Sequence, residues 1–261
     1  MLRLLLLSLF FATSALAQWR AIAPGVDYQR IVRGKIDVHV TKIDLMHPNT
    51  KVIATKKSEQ GLTVSEYARR TKAIVAINAD YFDPQLRPIG RSMGACGVWW
   101  RGAKIQRKQG LVAVGPGRAE IQKNTQKTQT WMRGAVSGWP MLVEDCAPIR
   151  ELPGSDPFTR GPHPRTAAGV SADGKTLYLV VADGRRENVP GMTLPELADF
   201  FVRELGACRA MNLDGGGSSA MWVRNAIVNR PSDGTERKVG NHLAVVGAAD
   251  YSGCAERKSK R

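Results

Sequence analysis

The sequence predicts an α+β fold: a strand-dominated, mixed and mainly antiparallel β-sheet core with a few flanking helices. Three observations carry this. Short apolar runs that read as strands outnumber helical stretches. Glycine, proline and aspartate cut those runs at short intervals, and hairpin turns alternate with longer crossovers. Only two segments open with a clear helix-start signature.

Taken in order, Ile36-Asp37-Val38-His39-Val40 alternates apolar and polar residues, the pattern of a strand half in water. Ile43 and Leu45 resume the alternation one residue out of step, which predicts a bulge. Thr63-Val64-Ser65-Glu66 is a capping box and predicts a helix to about Thr71. Residues 73–77 have no polar face and read as a fully buried strand. Shorter strands are expected at Gly97–Trp100, 110–114 and 119–122, with 123–130 a polar, exposed connection. Two apolar runs, 165–171 and 175–182, meet at Asp173-Gly174, a strong hairpin signal. Thr193-Leu194-Pro195-Glu196 is the second capping box, with proline where its missing N–H costs nothing. Leu194, Leu197, Ala198, Phe201, Val202 and Leu205 then recur at helical spacing until Gly206 ends the run. Strands follow at 208–213, 220–224 and 242–247.

The first 17 residues predict an export signal. One positive charge at Arg3 precedes the apolar run 4–12, and Ala15-Leu16-Ala17 puts small residues before a cut at Gln18. The apolar run is far shorter than the roughly 20 residues that span a bilayer. The expectation is therefore an exported protein, periplasmic or extracellular, with no transmembrane segment. Residues 18–69 are expected to add strands and a short helix to a main domain at 70–250, and 251–261 to form a basic tail. A hydrophobic content of 43% suits a globular chain. The net charge is +15, of which Arg3 supplies one. In an exported protein such an excess points away from nucleic acid and toward anionic envelope polymers, phosphorylated glycans or membrane surfaces. None of the cysteines 96, 146, 208 and 254 lies in a CxxC pair, which argues against a zinc knuckle. Two disulfides are expected, Cys96–Cys146 and Cys208–Cys254, the pairing local in sequence.

The sharpest chemical feature is Asn212-Leu213-Asp214-Gly215-Gly216-Gly217-Ser218-Ser219. Three consecutive glycines are costly in backbone entropy and make sense where the chain turns tightly or lets a ligand approach. Asp214 stands at a strand end, and Ser218 and Ser219 add hydroxyls and N–H donors beside it. No lysine follows, so this is not a Walker-type loop. An ordinary glycine-rich turn with a solvated aspartate fits the same residues. The buried strand 73–77 ends abruptly in Asn78-Ala79-Asp80-Tyr81-Phe82-Asp83, a way to deliver a site residue or simply an Asx-capped strand end. Arg165 and Asp183-Gly184-Arg185 lie at the open end of the predicted hairpin, where Arg165 and Asp183 are expected to share one cleft edge or form a surface ion pair. The 229–237 loop, from Asn229 to Arg237, is dense in polar groups, as a solvated turn also is. No G-x-S-x-G occurs, and His39, His47, His163 and His242 form no ligand-spaced pair. Trp99-Trp100 reads as core, with sugar stacking the alternative. Asp80, Asp183 and Asp214 offer oxygen ligands suited to a divalent cation, the one cofactor the sequence suggests.

In this order these segments resemble the phosphodiester glycosidase family. The stretches that carry the likeness are 77–82, 165–170, 180–185, 191–198, 211–219 and 228–237; Ala79-Asp80 stands where the family usually has a glycine-rich run. The resemblance implies hydrolysis of a sugar-1-phosphodiester at the anomeric carbon, with a sugar phosphodiester or phosphorylated glycan as partner. It implies Asp214 as nucleophile, base or oxocarbenium stabiliser, with Asp183 second. Arg165, Arg185 and Arg237 would hold the phosphate. Asn78, Asn212, Gly215, Gly216, Gly217, Ser218, Ser219 and Asn229 would line the substrate. The alternatives are a non-catalytic binder of anionic envelope polysaccharide and a hydrolase of another glycan linkage.

Overall fold

In a computed structural model of the chain, residues 18–95, 97–102, 109–123, 127–152 and 157–250 are described. The expected export signal and basic tail lie outside them. The described strands form three sheets, and every pairing is antiparallel. The largest runs, in spatial order, Arg20–Ala23, Val26–Arg33, Ile36–Asp44, Thr176–Ala182, Arg165–Val170, Arg209–Asn212, Met141–Glu144 and Ala147–Pro148. A five-stranded sheet orders Gly97–Trp100, Ser92–Gly94, Gly134–Gly138, Gly110–Gly115 and Arg118–Lys123. The other orders Ala226–Ile227, Met221–Val223, Val75–Asn78, His242–Gly247 and Thr50–Ala54.

Both capping boxes form. Thr63 and Glu66 open the helix Val64–Thr71, and Thr193 and Glu196 open Leu194–Arg203. The first helix covers the 75–78 sheet through Val64, Tyr67 and Ala68; the second covers the outer face of the eight-stranded sheet through Leu194, Leu197 and Phe201. The hairpin turns at Gly174, whose φ of +70° explains the glycine. Between the sheets lies the central core, with Ile43, Leu177, Leu179, Val181, Ala168, Val170 and Ile77 among its members.

Four expectations change. The strand Ile36–Asp44 pairs in unbroken register on both sides, so there is no bulge. Nor is it half in water: Asp37 and His39 are 3% and 1% exposed. Trp99 and Trp100 are only half-buried, each spending its indole N–H on a backbone carbonyl, of Thr55 and Pro88. Cys146 and Cys208 form a disulfide, which overturns both local pairings, since each contained one of these residues. The turn after Met141–Glu144 brings Cys146 beside the start of the neighbouring strand, where its N–H donates to the Cys208 carbonyl at 3.0 Å. Adjacency in the sheet, not in sequence, sets the pair. Cys96 and Cys254 lie outside the described residues.

The inner face of the large sheet changes character along its strands. At one end Ile43, Leu177 and Val170 sit in one row. At the other, the same faces carry Thr41, His39 and Asp37, then Asp183, then Thr166, all buried. The core therefore ends in a polar rim, and the candidate site lies there.

Asp80 clamps the two smaller sheets. Its carboxylate accepts the Ser137 N–H at 2.6 Å and the Ser92 hydroxyl at 3.2 Å, while Asn241 accepts its N–H. Burial pushes its pKa up to about 8, against hydrogen bonds that lower it. A group protonated longer in the fold than in the unfolded chain removes stability as pH rises between the two pKa values. Buried His39 and His242 act oppositely, with pKa values lowered by burial to about 4 and about 3, but only below their usual value of about 6.5. Between about pH 6.5 and 8, Asp80→Asn is therefore expected to flatten a decline in stability seen in the parent. Urea denaturation across this range checks it; parallel curves for the two proteins refute it.

Candidate active site

The triple-glycine loop is the bridge between two sheets. It leaves the eight-stranded sheet after Arg209–Asn212, makes a single 3-10 turn at Gly216–Ser218, and enters the 75–78 sheet at Met221–Val223. Asn78 fixes the crossing. Its Nδ2 donates to the Asp214 carbonyl at 2.6 Å, and its Oδ1 accepts the Thr166 hydroxyl at 2.8 Å and the Ala220 N–H at 3.2 Å. The Asp214 N–H donates to Ala79 and the Gly216 N–H to Pro164, both at 2.8 Å.

Two of the glycines lie directly under side chains, and the backbone of Gly216 also favours glycine. Gly216 has φ +61°, and a β-carbon there would stand 2.8 Å from Nη2 of Arg185. A β-carbon on Gly217 would collide with Oδ2 of Asp233 and Nη2 of Arg237. Arg185 itself holds φ +58° and is exposed. A non-glycine residue in this region is strained, and such strain concentrates at functional sites. Arg237 donates through Nε and Nη2 to Asp233 Oδ2 at 2.9 and 2.5 Å.

Close to the Arg237 guanidinium sits Asp214. Burial pushes its pKa up to about 6; the Ser218 hydroxyl and the Arg237 charge pull the other way. The Ser218 hydroxyl acts on the carboxylate without full hydrogen-bond geometry; it and the Ser219 hydroxyl are buried with no hydrogen-bond partner of their own. The glycine turn thus gathers a carboxylate with a pKa of about 6, the Ser218 hydroxyl and Arg237 beside it, and Arg185 over Gly216.

Other expected residues are nearby in a supporting place. Strand alternation that sends Thr166 to Asn78 turns Arg165 to the opposite face, where Ala167 packs under the second helix. Arg165 is fully buried, with Nε on the Met192 carbonyl and Nη2 on the Gly161 carbonyl, both at 2.9 Å. Asp183 binds the 229–237 loop instead of facing the cleft. It accepts the Arg230 N–H at 2.9 Å and Nδ2 of Asn229 at 3.2 Å. Asn229 continues to the Ser219 carbonyl and the Met221 N–H. Asn212 donates to the Tyr81 hydroxyl at 2.7 Å and the Trp139 carbonyl at 2.9 Å.

Asp80, Asp183 and Asp214 do not gather as a cation site. Among the described residues, the trio of possible ligands with atoms within 4.8 Å of one another is Asp37, His39 and Asp183. Two arginines already hold those carboxylates. Arg30 grips Asp37 with two bonds of 2.9 Å, and Nη2 of Arg186 spans Asp37 and Asp183 at 3.1 and 2.9 Å. A metal ion would be set against two fixed cations, so the cluster is better described as an alternating ion ladder behind the 229–237 loop. Asp37, Arg186, Thr166, Tyr81 and Asp233 were not among the expected site residues, although Tyr81, Thr166 and Asp233 lie in segments the sequence singled out. Only Asp233 carried a local signal, its spacing of four from Arg237.

The sequence profile of the phosphodiester glycosidase family matches residues 71–246. The chain belongs to this family. A Bacillus subtilis relative, the SPbeta prophage-derived uncharacterized protein YomE, is 30% identical over 209 residues, covering 76% of this chain and 31% of its own length. The bovine N-acetylglucosamine-1-phosphodiester alpha-N-acetylglucosaminidase is 26% identical over 192 residues, 67% of this chain and 36% of the relative. The chain thus spans about a third of the length of these relatives. In fold, this phosphodiester glycosidase family member is similar to the zebrafish enzyme's catalytic domain, solved auto-inhibited by its pro-peptide. The TM-score is 0.67 at 19% identity, over 90% of this chain and 85% of that one. A hypothetical protein from Synechocystis gives 0.64 at 16%, over 90% and 64%.

Asn78→Ala removes the shared partner of three groups, each worth about 1–3 kcal/mol when left buried and unpaired. The expected loss of stability is about 3 kcal/mol or more, measured by denaturant unfolding, and a loss below about 1 kcal/mol contradicts the bridging role of Asn78.

Proposed function

We propose that this protein is an exported hydrolase that cleaves a sugar-1-phosphodiester at the bond between the anomeric carbon and the phosphate oxygen, acting on an envelope or extracellular glycan. The observation that carries the proposal is the Asp214 carboxylate close to Arg237 at a glycine turn that Arg185 overlies. Family membership supports the reaction class, and the names of the mammalian relatives supply N-acetylglucosamine-1-phosphodiesters as the first substrates to try. Export is supported by the leader-like residues 1–17, by the Cys146–Cys208 disulfide, and by the lack of any described helix long and apolar enough to cross a membrane.

The chemistry follows from the leaving group. A departing phosphate monoester has a second pKa of about 6, so it leaves without the strong protonation that an ordinary glycosidase supplies from one of two carboxylates. It needs cations instead, and Arg185 and Arg237 present planar paired donors matched to phosphate oxygens. The sugar needs an anion as positive charge develops at its anomeric carbon. Asp214 fills that role, held in place before the reaction by the bridge beneath it. The same residue, with a pKa of about 6, is ionised at neutral pH yet basic enough to accept a proton from water.

A panel of sugar-1-phosphodiesters, with free sugar assayed as product, tests the proposal. Asp214→Asn is expected to lower kcat at least a hundredfold. It should leave Tm unchanged or slightly raised, because the charged carboxylate is destabilised by burial. Near-normal turnover in this variant removes Asp214 from catalysis, and binding without release by the parent favours a polysaccharide-binding role. The pH profile gives a second check. Because the ionised form is the active one, kcat/KM should fall about tenfold per pH unit below about pH 6, and a flat profile down to about pH 5 contradicts the assignment.

A further inference from the structure

The cleft already contains an anion of its own. The Asp233 carboxylate is locked onto Arg237, and the pair lies directly over Gly217. Arg185, over Gly216, makes no ion pair among the described residues. One of the two guanidiniums is therefore open to an incoming phosphate, while the other is taken. The carboxylate takes the Nε–Nη2 edge of Arg237, an edge that presents paired donors, so a phosphate cannot use that edge while Asp233 holds it.

The segment bearing Asp233 is anchored at both ends and not in between. On one side Asn229 and Arg230 are tied to Asp183. On the other, Glu236 accepts the Ser65 N–H at 2.8 Å. Between them runs a turn closed by the Gly234 N–H on the Pro231 carbonyl, and Gly234 has φ +82° with no atom within 4 Å of where a β-carbon would stand. Asp233 itself is partly exposed, with a third of its side chain in solvent.

We propose that Asp233 is a specificity-determining residue: its carboxylate occupies the anion position of Arg237 in the free protein, and a ligand gains the full cleft only by bringing anionic oxygens that replace it. A neutral glycoside offers Arg237 nothing in exchange, whereas a phosphodiester does. The inference rests on the phosphate-binding role given to Arg237 under the proposed function, and names how that site selects its ligand.

Inorganic phosphate, titrated calorimetrically into the full chain near neutral pH at constant ionic strength, tests this without any turnover. Asp233→Asn and Asp233→Ala are expected to bind phosphate about fivefold more tightly than the parent, the scale of one partly exposed ion pair. Asp233→Glu, which keeps the anion, should stay at parental affinity. Adding Arg237→Ala to Asp233→Asn should abolish the gain. If Asp233→Asn binds phosphate no more tightly than the parent, the carboxylate orients Arg237 instead of competing for its ligand, and the proposal is overturned. Failure of every phosphodiester to release sugar would refute the hydrolase while leaving these affinities readable.

Discussion

One carboxamide decides whether the site exists. Asn78 ends a strand of one sheet, receives the hydroxyl of Thr166 from another, and holds both ends of the glycine loop through the Asp214 carbonyl and the Ala220 N–H. It is fully buried, so each of these bonds stands in for water that cannot reach it. An aspartate could not replace it, having no N–H₂ to give the carbonyl; a leucine would leave three groups unpaired. The loop carries Asp214 across the seam between two sheets, so fixing the seam fixes the carboxylate.

Electrostatics adds a second constraint. Cations and anions alternate from Arg30 through Asp37, Arg186 and Asp183 to the backbone N–H of Arg230. Every charge in this ladder has a partner, as burial requires. Its far end grips the loop that brings Asp233 and Arg237 over Gly217. The polar rim of the large sheet is thus continuous with the candidate site. The same strands that bury Ile43, Leu177 and Val170 at one end supply Asp37, Asp183 and Thr166 at the other.

What the sequence disclosed follows the range of the forces involved. Capping boxes, the Asp173-Gly174 hairpin and the strand leading into the glycine loop are local, and all appear where the pattern puts them. Asp214 was legible because three consecutive glycines at a strand end cost too much backbone entropy to stand there without a tight turn or a close approach. Arg165 shows the opposite case. Its place at the open end of the hairpin was legible, but whether its side chain faced the cleft depended on parity against a neighbour 88 residues away, Asn78 to Thr166. The disulfide failed for a similar reason: Cys146 and Cys208 are separated by 62 residues but flank the paired strands Met141–Glu144 and Arg209–Asn212. Asp37 and His39 were placed in water by an alternation that correctly gave a strand yet could not say that both faces of the sheet would be covered.

The site divides into parts of unequal stiffness. Its floor is backbone, pinned at Asp214, Gly216, Ser218 and Ser219 by bonds to Ala79, Pro164, Gly215 and Gly216. Its roof is made of exposed arginine side chains, one of them on a strained left-handed residue. A reaction that builds positive charge at one fixed carbon asks for a fixed anion, since any adjustment at the transition state would cost reorganisation. Phosphates borne on varied alcohols ask for cations that can follow them. Under the proposed function, an aspartate on a pinned backbone and exposed guanidiniums would meet both demands. The same proposal puts selectivity in the roof, where the Asp233–Arg237 pair would open without touching the Asn78 bonds that hold Asp214.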